Sequence, residues 1–369
     1  MRFGIVGPIS KDRVLWQNGD TVCKFGAVTY SVIALAKLLE GTKDDIVCLS
    51  HVSPDDMGQI QQFFKHPNII LTGQNDSSIT GTSINLRYVD QHERVSHQTQ
   101  IMTPITAAEL NELSNCNYII LMPLNETDIP LDQLQEFRRK NTAMILLDVH
   151  GLVTAIDDRG TRNKQKWMCS KEWLGAIDIL KMNDKEASWA SSHLLSGFED
   201  YLKYALSVVK VGLLACWITF GDKSSLIVWR RQDRIFWANV PVTDAGEIVD
   251  TIGCGDSASA GFIYAYAKLH SPLIAVVMGN MIGSVKASIY ETSGFPTRPE
   301  VRSMIYQHYR EYLHNLLDEF LSQKHLIVNE MKEDLSNESF VYGTNGDRYN
   351  NGTDNARSSH SEGTTTPWT

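Results

Sequence analysis

The chain has 369 residues, 43% of them hydrophobic, and a formal net charge of −9 at pH 7. That is enough apolar material for a sizeable core in one large domain or two, and the acidic balance argues against nonspecific nucleic-acid binding. No apolar run reaches the roughly 20 residues of a membrane helix. The six scattered cysteines contain no C-x-x-C pair, which argues against a zinc site or disulfide framework and fits reduced thiols in a cytoplasmic protein.

Taken in chain order, the first apolar run, Phe3–Val6, reads as a strand and not a signal peptide, since no long apolar segment follows. Residues 10–24 form a short polar–apolar stretch. Ala27–Leu39 is amphipathic with helical spacing, and Ile46–Leu49 is a second strand. Thr82–Val89 alternates strictly, turns through Asp90–Glu93 and returns along Arg94–Gln100, which is a β-hairpin signal. Tyr118–Met122, Met144–Val149, Ile177–Lys181 and Cys216–Phe220 are further apolar strands, separated by helical patterns at Pro130–Lys140 and Glu199–Val211. Short apolar strands alternating with helices imply an α/β fold, a mainly parallel sheet covered on both faces. Ligands of such sheets bind beyond the carboxyl ends of the strands. Residues 10–24 and 80–101 break the rhythm and predict a small sheet off the main body, either a lid or an ordinary surface hairpin. Arg298–Gln323 reads as a long helix with Tyr306, Tyr309, Leu313, Leu316, Leu317 and Phe320 on one stripe. Residues 329–369 are too polar to offset their ordering entropy, and disorder is expected there. The expected division is a main domain over 1–297, a helical extension over 298–328 and the tail.

The most informative stretch is Val249-Asp250-Thr251-Ile252-Gly253-Cys254-Gly255-Asp256, which runs directly into the small-residue helix pattern Ser257–Phe262. Gly253 and Gly255 permit a tight turn and a close approach of backbone to ligand. The helix that follows offers unpaired N–H groups and a favourable dipole to an anion. An aspartate on the rim of an anion site repels a phosphate, which is tolerable if Asp256 acts as a base on a hydroxyl that attacks that phosphate. The alternative is a helix-capping aspartate. Likewise, Asn183 followed by Glu186 in Leu180–Glu186 reads as a capping box or its close variant. No H-E-x-x-H spacing is present, and His51, His66, His92, His97 and His150 read as surface or ordinary polar residues.

The string Asp-Thr-x-Gly-Cys-Gly-Asp resembles the signature of the ribokinase-like (PfkB) carbohydrate kinase family. The resemblance runs over residues 1–297. It implies a three-layer α/β/α sandwich with a small β-sheet lid that closes over the substrate and can also form a homodimer. It assigns Asp256 as catalytic base and Gly253, Cys254 and Gly255 as an anion hole. Asn183-x-x-Glu186 resembles the family motif that organises Mg2+ around the phosphates, with Glu186 acting through water. Trp217–Asp222 resembles the nucleotide segment, implying roles for Thr219 and Gly221, with Asn280 near the adenine. On the substrate side the implied residues are Asp12, Gly26, Tyr30 and Asp148. ATP and Mg2+ are the implied cofactors, with a monovalent cation as a further candidate. Phe25 stands where the family carries glycine, and Tyr30 lies near its asparagine position. These departures point away from ribose itself. The expectation is an ATP-dependent kinase of a small sugar-like compound. The alternatives are a nucleoside or inositol-type kinase, in which those aromatics pack against a base or ring, and a non-catalytic binding member.

Overall fold

The computed structural model describes residues 1–15, 19–74, 78–88, 94–191, 193–321 and 326–327. The chain opens with β1 (Arg2–Val6), the pair β2 (Ile9–Leu15) and β3 (Thr21–Ala27), then α1 (Val28–Leu38) and β4 (Asp45–Leu49). Next come α2 (Met57–Phe63), β5 (Ile69–Thr72), and the hairpin β6 (Thr82–Tyr88) and β7 (Arg94–Gln100). The middle comprises α3 (Ala107–Leu110), β8 (Tyr118–Leu121), α4 (Leu131–Lys140) and β9 (Met144–Asp148). A small hairpin follows, β10 (Thr154–Ile156) and β11 (Arg162–Lys164), then α5 (Ser170–Leu174), β12 (Ile179–Asn183), α6 (Asp184–Ala190) and α7 (Phe198–Lys210). The last part holds β13 (Ala215–Thr219), β14 (Ser224–Arg231), β15 (Arg234–Pro241), α8 (Cys254–Leu269), α9 (Pro272–Ala287), α10 (Arg298–Leu321) and β16 (Leu326–Ile327).

Among the described residues the main sheet runs β16-β15-β14-β13-β12-β9-β8-β1-β4-β5. Pairing from β5 to β13 is parallel, and β14, β15 and β16 add antiparallel at one edge. The continuous apolar strands split their side chains between two cores by simple alternation. Ile46 and Cys48 face one core with α1, α8 and α9, whereas Val47 and Leu49 face the other with α4 and α7. The result is three layers, α/β/α, as expected. The strand anticipated at Ile177–Lys181 starts two residues later and runs to Asn183, so the motif asparagine is the last residue of β12.

β3-β2-β6-β7 form a separate four-stranded sheet, with β2 and β6 parallel and the other pairs antiparallel. Residues 10–24 and 80–101 therefore do join in one accessory sheet. Its apolar face, Val14, Ile84 and Leu86, packs with Tyr30 and Ile252. The turn at Asp90–Glu93 lies outside the described residues, as does 329–369. In α10 one member of the expected stripe is corrected: Tyr306 is 64% exposed, under the guanidinium of Arg310, whereas Tyr309 is fully buried and Leu313 packs against the core, joined by buried Val301. The side chains of Leu316, Leu317 and Phe320 lie outside the described residues. Positions 301, 305, 309 and 312 share a helix face, and 306 lies about 100° off it. Beyond α10, β16 pairs with β15, so the extension adds a strand to the main sheet.

In the core beneath the site, Phe262 stacks between Trp217 and Tyr266, with ring centroids at 5.0 and 6.3 Å. Phe262→Ala is expected to destabilise the protein by about 3–5 kcal/mol, read as a lower urea midpoint. A loss within the roughly 0.5 kcal/mol of a surface change would contradict this packing.

Candidate functional site

Gly253 is the residue before the first turn of α8 and adopts φ 82°, a left-handed conformation that glycine alone enters without strain. A β-carbon there would also overlap the ring of Tyr30, which lies directly beneath the turn. Asp256 sits in the first turn of α8, three residues after the N-cap Gly253, so it is not the N-cap residue itself. Ser31 Oγ donates to the Asp256 carbonyl at 2.6 Å and fixes the turn from α1.

The side chains around Asp256 come from the carboxyl ends of the strands. Asp148 ends β9, Asn183 ends β12 and Thr219 ends β13. Lys181, buried in β12, donates to Asp148 Oδ2 at 2.5 Å and to the Gly255 carbonyl at 2.8 Å. Asp256 is partly exposed, but protein surrounds its carboxyl. Burial, and then the charge of Asp148, push its pKa up to about 7, with Lys181 pulling the other way and Glu186 and Asp12 adding to the rise. Burial also opposes the charge on Lys181, but Asp148 outweighs it and holds the ammonium above the ordinary lysine range.

Asn183 and Glu186 form the capping box: Asn183 Oδ1 accepts from Glu186 N at 2.8 Å, and Glu186 Oε2 accepts from Asn183 N at 2.9 Å. The other Glu186 oxygen meets His150 Nδ1 at 2.7 Å. Burial would raise the Glu186 pKa, yet His150 and the Asn183 amide outweigh it and hold the carboxyl below the ordinary glutamate range. Both carboxylate oxygens are thus engaged, and no group of three or more His, Cys, Asp or Glu among the described residues is arranged to hold a metal ion directly. Because Mg2+ keeps several waters and takes phosphate oxygens as ligands, Asn183 and Glu186 could hold one only through water.

Asp12, in β2 of the accessory sheet, is 5% exposed and close enough to Asp256 to affect its ionisation. A side chain at position 26 would strike Asp12 Oδ2 and Ser10 Oγ, so glycine there makes room for the Asp12 carboxylate against β3. Phe25 lies on the other face of β3 and meets Phe63 at 6.3 Å. Tyr30 is fully buried. Burial drives its phenol far above the ordinary tyrosine range. Of the two aromatics that suggested a ring-stacking platform, Tyr30 is therefore packed into the protein, whereas Phe25 is half-buried against Phe63.

On the other side of Asp256 lies a cavity of about 310 Å³ whose lining includes Trp217, Thr219, Gly221, Cys254, Gly255 and Asn280. Thr219, Gly221 and Asn280 are thus brought to one wall. The Asn280 amide is itself engaged: it accepts from Ser225 Oγ at 2.7 Å and donates to the carbonyls of Val240 and Pro241. Gly279 keeps the wall flat, because a β-carbon would meet the Trp217 ring at 2.7 Å.

Four charged residues that touch this arrangement went unassigned in the sequence, Lys181, Lys24, Lys286 and Arg162, and His150, expected as a surface or ordinary polar residue, joins them. Lys24 and Lys286 both donate to Asp250 Oδ2, at 3.2 and 3.3 Å. Arg162, on the inserted β11, binds Gln98 of the accessory sheet and the Leu124 carbonyl. The visible signal was a lysine inside an apolar run, as in Ile179-Leu180-Lys181-Met182. His51, expected as a surface or ordinary polar residue, is buried between the Thr103 carbonyl and Glu109 Oε1.

Residues 159–298 match the pfkB family carbohydrate kinase model. A ribokinase of Arabidopsis thaliana is 25% identical over 191 residues, 51% of this chain and 45% of that protein. A nucleoside kinase of Methanocaldococcus jannaschii is 31% identical over 133 residues, 35% of this chain and 39% of that protein. The matched segments thus span under half the length of these curated relatives. A pyrophosphate-dependent kinase in the ribokinase family superposes with a TM-score of 0.63 at 20% identity, covering 82% of this chain and 99% of that one. Ribokinase from Giardia lamblia superposes with a TM-score of 0.67 at 14% identity, covering 82% and 100%. At such identities the likeness establishes the fold. The chain has the ribokinase fold, and its residues 159–298 are similar to the pfkB family carbohydrate kinases.

The Asp256 environment has a measurable cost. An unfolded aspartate ionises near 3.8, whereas Asp256 resists ionisation up to about 7. The folded state therefore holds the extra proton, and this group takes stability away as pH rises from about 4 to 7. Asp256→Asn is expected to raise the melting temperature at pH 8 and to change it little at pH 4. Equal shifts at both values would contradict the assigned environment.

Proposed function

We propose that this protein is an ATP-dependent phosphotransferase that moves the γ-phosphate to a hydroxyl of a small sugar-like compound. The observation that carries the reading is Asp256 itself. A carboxyl held near pKa 7 stands at the start of a helix, beside the glycine turn and between a carboxylate-rich basket and an apolar cavity. A base with a pKa close to the working pH combines a useful ionised fraction with proton affinity.

In the proposed reaction, Asp256 takes the proton from the acceptor hydroxyl as its oxygen attacks the γ-phosphorus. The amides of Gly253, Cys254 and Gly255 receive the charge that develops on the transferring group. Lys181 holds Asp148 and the Gly255 carbonyl in place, so the substrate side and the turn keep a fixed separation. Asp12 and Asp148 accept hydrogen bonds from acceptor hydroxyls, for which a carboxylate offers about four lone-pair sites. Mg2+, bound with the nucleotide, would neutralise phosphate charge. The accessory sheet covers the acceptor and excludes water, which limits ATP hydrolysis.

Two observations bear on the donor and acceptor. One structural neighbour is a pyrophosphate-dependent kinase solved with a pyrophosphate analogue and myo-inositol. The cavity walled by Trp217, Gly279 and Gly283 supports a nucleotide donor here, because pyrophosphate has no group to fill it. For the acceptor, the carboxylates favour a polyol or cyclitol. For the nucleoside alternative, Tyr30 is buried and offers no platform, which leaves the half-buried Phe25.

The test is ADP release with Mg-ATP over a panel of sugars, inositols and nucleosides. One acceptor is expected to stimulate release, and Asp256→Asn to cut that turnover by at least ~10²-fold while ATP binding survives. Unchanged turnover in the variant would remove Asp256 from the mechanism.

A further inference from the structure

A monovalent cation was one of the cofactors implied by the sequence resemblance, and the residues present do not fit one. A potassium ion bound without its water needs oxygen atoms in place of the hydration shell. Behind the Gly253–Gly255 turn, three oxygens converge: Asp250 Oδ2, the Asp250 carbonyl and the Ile289 carbonyl. Their centre is already filled by a side chain of this protein. Lys286 Nζ lies 3.3, 3.0 and 3.4 Å from those atoms, and the side chain has 0% exposure. A lysine ammonium has three donors, and three acceptors meet it.

The charge count points the same way. Lys24 Nζ reaches the same Asp250 oxygen at 3.2 Å, also buried. Two ammonium groups therefore share one carboxylate, and the bonded cluster carries a net positive charge next to the turn. The other acids whose charges reach the Tyr30 ring beside this cluster are Asp12, Asp256 and the half-buried Glu291. Tyr30 connects the cluster to the turn: Lys286 Nζ lies 5.3 Å from the ring centroid, and the same ring underlies Gly253. Asp250 Oδ1 also accepts from Ile252 N at 2.9 Å, which fixes the approach to Gly253.

We propose that Lys286 is a tethered cation. It supplies from within the chain the charge and loop geometry that a soluble monovalent ion would bring to the anion hole, so the enzyme works without potassium. Lys286 acts as a positioning residue, and its catalytic consequence rests on the kinase reading above.

The experiment uses the full chain in potassium, ammonium, sodium or tetramethylammonium chloride at equal ionic strength, with melting temperature and substrate-dependent ADP release as readouts. The wild type is expected to melt at one temperature and turn over at one rate in all four salts. Lys286→Ala opens the space between the oxygens. Its melting temperature is expected to rise selectively in potassium or ammonium, as binding to the folded state requires. Its turnover is expected to recover by at least about tenfold in those salts, the factor that roughly 1.4 kcal/mol of restored stabilisation gives. A wild type stabilised or activated by potassium over tetramethylammonium would overturn the proposal. So would a folded Lys286→Ala protein indifferent to every ion, the behaviour of a merely structural ion pair. If the variant does not fold, the wild-type salt series still decides. The melting arm needs no turnover, so a failure of the kinase reading is seen separately, as absent ADP release in wild type alongside salt-independent melting.

Discussion

Lys181 brings a full charge into a strand that is otherwise apolar, and the geometry of the site depends on where that charge goes. Its ammonium is enclosed by Asp148 at the end of β9, the Gly255 carbonyl in α8 and the ring of Trp217, 5.6 Å from its centroid. One side chain thus ties two neighbouring strands to the glycine turn, and it separates the Asp148 and Asp256 carboxylates that would otherwise repel each other without relief. Removing one partner of such a buried pair leaves an uncompensated charge, which is far costlier than losing an exposed ion pair.

Around this contact the site is organised as opposing charges at short range. Asp12, Asp148, Glu186 and Asp256 face one another across the cleft, and Lys181, His150 and the Lys24–Asp250–Lys286 cluster offset them. The consequence differs from one carboxyl to another. Glu186, bonded through both oxygens, is held ionised, whereas the pKa of Asp256, buried and then crowded by other acids, is pushed up to about 7. Two carboxyls with separated ionisation suit two tasks, ordering cation-bound water and accepting a proton. The same burial and crowding that would suit Asp256 to the proposed role of base lower the stability of the folded state, a trade that functional sites commonly show.

Much of this arrangement was legible in the sequence, for identifiable reasons. Parallel strands buried on both faces are continuous apolar runs, so Ile46–Leu49 and Met144–Val149 were visible without any alignment. The glycine turn was visible because Gly253 must adopt a left-handed conformation and carry no β-carbon above Tyr30. The Asn183–Glu186 box was visible because its partners are three residues apart. The cations were not, because their contacts join residues far apart in the chain: Lys181 with Asp148, and Lys24 with Asp250, 226 positions away. No local pattern reports such pairs. Tyr30 was hard to read for the opposite reason, since an aromatic near a binding motif looks the same in sequence whether it faces the ligand or the core.

The pH dependence of kcat/KM, measured with the acceptor that supports turnover, tests the role of Asp256 most directly, because it reports ionisation in the free enzyme. The environment of Asp256 predicts that kcat/KM falls on acidification with a midpoint near pH 7 and a slope of one proton. A profile that stays flat down to about pH 5, as for a base with the ordinary aspartate pKa, would contradict the assignment of Asp256 as the proton acceptor.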